Sequence, residues 1–196
     1  MALIENPASP LVSRLEGFHL FGFDAAPCSQ RVSFALAEKG LLRGRRVKYL
    51  ADSPRDLVAA EGTYTFRHVS LIRHDNLTAE YAAIQPNMVV PALVHDGRLH
   101  IESMEIIRYL DEVRSGSRLL PDDPERATLC AELIERGKTL HVSVRHVTFH
   151  WSLGKLGKTN KAIQDRAREL EQEGSPEQLA DFYRQFNDDA IAVETF

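Results

Sequence analysis

Val90-Pro91, Glu102-Ser103 and Cys28-Ser29 are the positions of this chain best suited to chemistry. An Xaa-Pro bond reaches the cis form for only about 0.5–1 kcal/mol. A cis bond at Val90-Pro91 turns the Val90 N–H and C=O outward, where an extended peptide can pair as an added strand. The competing reading is a trans proline opening an edge strand. Glu102-Ser103 stands before a helical stripe. Free N–H groups at a helix start attract a carboxylate, and the serine hydroxyl adds a donor. Glu102 can face an ammonium group. The competing reading is a plain N-cap, which serine supplies by itself. Cys28 follows Pro27 where the first helix begins. The positive end of a helix favours a thiolate, and Ser29 can donate a hydrogen bond to a bound sulfur. Against that, free cysteine is often a small buried filler. The first two devices, the Val90-Pro91 edge and the Glu102-Ser103 pair, together suggest a pocket for a small zwitterionic thiol peptide.

These positions need a scaffold to bring them together. His19 to Phe23 reads as a buried first strand. Ser29 to Lys39 carries Val32, Ala35 and Leu36 on one helical face, and Gly40 sits where a C′ glycine belongs. Both Arg46–Leu50 and Phe66–Ile72 alternate like strands. The second is favoured, because a short helix over Asn76–Tyr81 follows it, which leaves residues 44–65 as an inserted segment. Val90–Val94 and Arg98–Ile101 form a hairpin around Asp96-Gly97. Ser103 caps a helix whose stripe is Ile106, Ile107, Leu110 and Val113. Residues 114–120 read as a linker, and residues 1–16 as a loose lead-in.

Beyond the linker the pattern is wholly helical. Asp123-Pro124 opens a long helix with a buried stripe of Leu129, Leu133, Leu140, Val144, Val147 and Trp151. A charged helix over 159–173 and a capping box at 175–178 follow. His146 and His150 stand four apart, as a metal pair would, but no third ligand is evident and no metal is expected. Gly154 to Lys158 lacks the preceding strand and the glycine spacing of a phosphate loop.

The 196 residues carry a net charge of −4, which disfavours a nucleic-acid platform. No apolar run approaches the ~20 residues of a membrane span, and no secretory signal is visible. Two cysteines, Cys28 and Cys130, fit a reducing compartment and a cytoplasmic location.

Several motifs now stand in order: Pro27-Cys28-Ser29-Gln30-Arg31-Val32, Ala35 to Gly40, Val90-Pro91-Ala92-Leu93, Ile101-Glu102-Ser103 and Ile107 to Glu112. In this order and spacing the chain resembles a soluble glutathione transferase. The Ser-Gln-Arg-Val and Ala-Glu-Lys pieces also resemble the ganglioside-induced differentiation-associated branch and its bacterial relatives. The resemblance implies an α/β thioredoxin-like domain over 17–114 that holds glutathione. It also implies an all-α C-terminal domain over 121–196, short against the family's helical bundle, that shapes a pocket for a small hydrophobic electrophile. By the same resemblance Val90 pairs with the cysteinyl group beside cis Pro91, Glu102 and Ser103 hold the γ-glutamyl end, and Asn76 meets the glycyl carboxylate. A homodimer is expected on the same ground. One departure stands out. The stretch Phe21 to Pro27, where the family carries a thiol-activating Tyr or Ser, has no hydroxyl, so that task falls to Cys28 and Ser29. Conjugation of glutathione to an electrophile is the first expectation. A Cys28 thiol oxidoreductase and a non-catalytic binding protein are its rivals.

Overall fold

A computed structural model describes residues 3–151 of the chain. Those residues fall into two units, one ending at Asp122 and the other beginning at Asp123.

The first unit is built on one six-stranded sheet in the order β1-β6-β5-β2-β4-β3. Its strands are β1 (Leu3–Ile4), β2 (Phe18–Gly22), β3 (Leu42–Lys48), β4 (Thr63–His68), β5 (Ala92–His95) and β6 (Arg98–Ile101). Side chains alternate between faces along a strand, and each face of the sheet has its own core. On one, Phe18, Leu20, Phe66 and Leu93 pack with Val32, Ala35 and Leu36 of α1 (Pro27–Glu38) and Ile106, Ile107 and Leu110 of α4 (Ser103–Val113). On the other, Phe21, Val94 and Leu99 pack with Leu11, Val12, Leu15, Tyr81 and Ile84. Between α1 and α4 the chain forms α2 (Pro54–Leu57) and α3 (Ala79–Ala82). The thioredoxin-like α/β fold expected for this region is present.

The helix ending at Gly40 and the Asp96-Gly97 hairpin form as expected. Gly40 has φ +73°. Asp96 and Gly97 have φ +48° and +77°, the paired positive values of a type I′ turn. Other expectations need correction. Residues 3–15 are not a loose lead-in: Leu3 and Ile4 pair with β6, and Leu11, Val12 and Leu15 are buried. The strand expected over 66–72 starts earlier, at Thr63, and stops at His68. It stops because the Ser70 N–H turns to the Asp75 carboxylate. The segment over 44–65 is ordered, and its last residues, 63–65, already belong to that strand. It supplies β3 as a parallel edge strand on β4, followed by α2. The helix expected over Asn76–Tyr81 is broken into a 3-10 turn (Asp75–Leu77) and α3. Ser103 is the first helical residue, and Glu102 takes the cap position.

Two buried cations hold this unit together. Arg67 donates to the carbonyls of Tyr49, Ala51 and Asp56 and to His19 Nδ1, so one fully buried guanidinium fastens the segment after β3 to the sheet. Burial pulls Arg67 down to about 10, which leaves it charged at neutral pH. Lys39, at the end of α1, lies 2.6 Å from Asp111 near the end of α4, both buried. Asp111 also accepts the N–H groups of Leu119 and Leu120, so the stretch read as a linker is tied back to α4. Burial opposes the Asp111 charge, but the Lys39 hydrogen bond and these amides outweigh it and hold the carboxyl below its ordinary range.

The second unit begins with α5 (Pro124–Trp151). The stripe expected to be buried is exposed at Leu129, Leu133, Leu140 and Val144. Gly137 sits inside the helix without interrupting it. The side chains of His146, Val147, His150 and Trp151, and the segments 154–158, 159–173 and 175–186, lie outside what the structure describes. Among the described residues no helix is long and apolar enough to cross a membrane, and no group of three His, Cys, Asp or Glu side chains could hold a metal.

Candidate functional site

Strand register brings the chemical positions together. Phe21 pairs with Arg67 on one side and Ala92 on the other, and Ala92 pairs with Ile101. The ends of β4 and β2, the start of β5 and the end of β6 therefore form one row across the sheet. One step beyond that row lie His68, Gly22, Pro91 and Glu102. α1 leaves from the end of β2 and α4 from the end of β6, so both helix starts face the same edge.

The Val90-Pro91 bond is cis. Asn76 Nδ2 donates to the Met88 carbonyl at 2.8 Å, and the Tyr81 hydroxyl donates to the Val89 carbonyl at 2.8 Å. Burial raises the Tyr81 phenol and keeps it protonated, as a donor must be. The loop is thus held from beneath through residues 88 and 89. Among the described residues no partner takes the Val90 N–H or C=O. Asn76 is buried, with its amide nitrogen committed to Met88. Its place in the structure is under the loop.

At the neighbouring helix start, Glu102 is exposed and has φ +64° and ψ +110°. A non-glycine residue in such a conformation costs on the order of 1–3 kcal/mol, and such residues cluster at functional sites. Its side chain makes no capping bond. Its carbonyl opens the helix by accepting from Ile106 N–H. Ser103 Oγ accepts from Arg31 Nη1 at 3.2 Å, so an exposed guanidinium from α1 stands at the positive end of α4. Arg31 was in the motif read from the sequence without a role. Its position one turn into α1 is what carries it to α4.

At the start of α1, Cys28 is half-buried and in no disulfide. Ser29 is buried, with its hydroxyl accepting the Phe23 N–H at 3.2 Å. There is no side-chain cap on this helix, and Pro27 offers no N–H. The Ser29 N–H lies in the first turn, where intrahelical acceptors are lacking. The structure therefore puts Val90, Pro91, Glu102 and Ser103 on one edge with Cys28 near it. Ser29 reaches that edge through its main chain, its hydroxyl being turned inward.

A mixed sheet with helices packed on it, two of them starting at one edge, places this unit in the thioredoxin-like class. Residues 20–118 match the family model described as the glutathione S-transferase N-terminal domain. The chain belongs to the glutathione S-transferase family. Mouse (Mus musculus) maleylacetoacetate isomerase is 30% identical over 112 residues, which cover 56% of this chain and 42% of that protein. Glutathione S-transferase U7 of Arabidopsis thaliana is 25% identical over 161 residues, covering 81% of this chain and 58% of that one. The chain spans about half the length of the curated relatives it matches. Among solved structures, the beta-etherase LigF from a Sphingobium strain superposes with a TM-score of 0.64 at 19% identity, covering 91% of this chain and 67% of that one. A glutathione transferase homologue from Sulfitobacter with bound glutathione gives 0.53 at 19% identity, covering 89% and 71%. These two likenesses concern the fold.

Proposed function

We propose that this protein binds glutathione along the Val90 edge and passes its thiolate to a small electrophile. The observation that carries the reading is the unclaimed Val90 peptide group, two residues before the Ala92–Ile101 pair whose strand β6 runs directly into the exposed cap Glu102 of α4. Glutathione has three polar parts, and the edge offers a counterpart to two of them. The cysteinyl main chain pairs with Val90 as a short added strand. The γ-glutamyl ammonium meets Glu102. Its carboxylate meets Ser103, Arg31 and the α4 N-terminus. The sulfur then lies toward the start of α1. There the Ser29 N–H and the helix dipole favour the thiolate. Holding thiolate at neutral pH requires about 2.7 kcal/mol for a two-unit shift from a free thiol, within reach of a charge-assisted hydrogen bond plus a helix end. The sulfur lone pair attacks the electrophilic carbon, a C–S bond forms, the leaving group departs with its electron pair, and the thiol proton goes to solvent.

A second reading follows from the inward turn of the Ser29 hydroxyl, which leaves Cys28 as the reactive side chain at that helix start. The Cys28 thiolate displaces a thiolate from a glutathione mixed disulfide. A second glutathione then releases oxidised glutathione and restores the thiol. Titration calorimetry with reduced glutathione tests binding. Saturable heat that is lost in Glu102→Ala and Ser103→Ala supports it, and no heat at millimolar ligand refutes it. Cys28→Ala separates the reactions: conjugation of a generic aromatic electrophile survives, whereas deglutathionylation does not.

A further inference from the structure

The inserted edge strand β3 contains an irregularity with a consequence for the site. Arg43 pairs with Tyr64 and Arg46 with Phe66, so three residues of β3 span two of β4. In a regular strand, residues three apart face opposite sides. The bulge at Gly44-Arg45 puts Arg43 and Arg46 on the same side and sends Arg45 elsewhere, to Asp56 and the Arg55 carbonyl. Gly44 permits it, since a Cβ there would sit 2.9 Å from Thr63 Oγ1.

Both aligned arginines converge on one carboxylate. Arg43 Nη1 is 2.6 Å from Asp24 Oδ1, and Arg46 Nε is 3.4 Å from Asp24 Oδ2. Arg43 also lies over the Phe66 ring, 3.8 Å from its centroid. His68 completes the surroundings, with Nδ1 3.9 Å from Asp24. Burial works to raise the Asp24 carboxyl, but the Arg43 hydrogen bond and the Arg43 and Arg46 charges hold it below the ordinary range. Asp24 opens the loop between β2 and α1. Its carbonyl accepts from Gln30 Nε2 at 2.8 Å, and Ala26 N–H closes a turn onto Phe23. A charged edge strand is by itself a common guard against edge-to-edge pairing. A bulge that aims two guanidiniums at the loop preceding Cys28 does more than that.

We propose that β3 is a positioning element: Arg43 and Arg46 grip Asp24 and so fix the loop that presents Cys28 and the Ser29 N–H to the Val90 edge. This rests on the glutathione reading for its purpose, but the grip can be measured without glutathione. The readout is the alkylation rate of Cys28 by iodoacetamide in the full chain, resolved from Cys130 by peptide mass spectrometry. Asp24→Asn and the pair Arg43→Gln with Arg46→Gln are expected to accelerate Cys28 alkylation roughly threefold or more, by local opening of the loop. Arg43→Lys with Arg46→Lys retains the charges and is expected to restore most of the wild-type rate. Arg45→Gln, which breaks a pair on the same strand but not on the loop, is expected to leave the rate unchanged. Exposed ion pairs add little stability, so all melting temperatures are expected to stay close to wild type. Unchanged rates in the Asp24 and Arg43/Arg46 variants, or equal acceleration in Arg45→Gln, would overturn the proposal. Absence of glutathione binding with the expected alkylation pattern would instead remove the functional reading and leave the grip standing.

Discussion

Glu102 holds a backbone conformation that glycine would hold at lower cost, and an exposed acid gains nothing structural from being there. Glu102→Gly is therefore expected to raise stability in urea by on the order of 1 kcal/mol while weakening glutathione at least about tenfold, a pairing of opposite signs. Loss of both stability and binding would make Glu102 a structural residue. His19 offers a pH test at the same scale. Arg67 Nε donates to its Nδ1, so Nε2 carries the proton and donates to the Glu16 carbonyl. Burial, then the Arg67 charge, lowers its pKa to about 4. The folded state favours neutral His19, so the unfolded chain binds more protons between about 6.5 and 4. Stability is then full above pH 6.5 and falls as pH drops through that window. A shift of this size corresponds to roughly 3 kcal/mol. His19→Gln, followed by urea denaturation at pH 7.5 and 5, is expected to flatten the dependence.

At the scale of elements, the site depends on where two helices start and two buried cations act. Asp111→Ala leaves Lys39 buried without its counter-charge, and the N–H groups of Leu119 and Leu120 without their acceptor. Removing one partner of a buried pair costs about 3–5 kcal/mol. Thermal unfolding of this variant checks it, with Arg118→Ala, which removes only an exposed partner of Asp111, as the mild comparison. Local signals made much of this level readable from the sequence. The β5–β6 hairpin followed from Asp96-Gly97, the end of α1 from Gly40, and the core face of α4 from its apolar spacing at Ile106, Ile107 and Leu110, although Val113, expected on the same stripe, is exposed. The alternation at Arg46–Leu50 does signal a strand, but weighed against the next one it is set aside. β3 and β4 both form, and β3 is easily passed over because it is an exposed edge strand rich in arginine. Its order comes from pairing with β4 and from Arg67, a distant residue. The inward turn of Ser29 was hidden for the same reason. Its acceptor role is for the Phe23 N–H, six residues away across a loop. Arg31 reaches Ser103 across 72 positions, a contact that no local pattern announces.

For the whole molecule, the family assignment rests on residues 20–118, and those residues contain every position assigned here to glutathione. The apolar positions of α5 show how a helical period can be read correctly and its surroundings misread. Leu129, Leu133, Leu140 and Val144 keep helical spacing yet are exposed. Periodicity identifies a face but does not name what covers it. The most direct test of the central claim is a crystal structure of the full chain with reduced glutathione. Glutathione on the Val90 edge should show its cysteinyl main chain within about 3.2 Å of the Val90 N–H and C=O, its γ-glutamyl carboxylate at Ser103, and its sulfur toward Cys28 and the Ser29 N–H. Glutathione seated elsewhere, or a Val90 peptide group left unpaired in a saturated crystal, would contradict it.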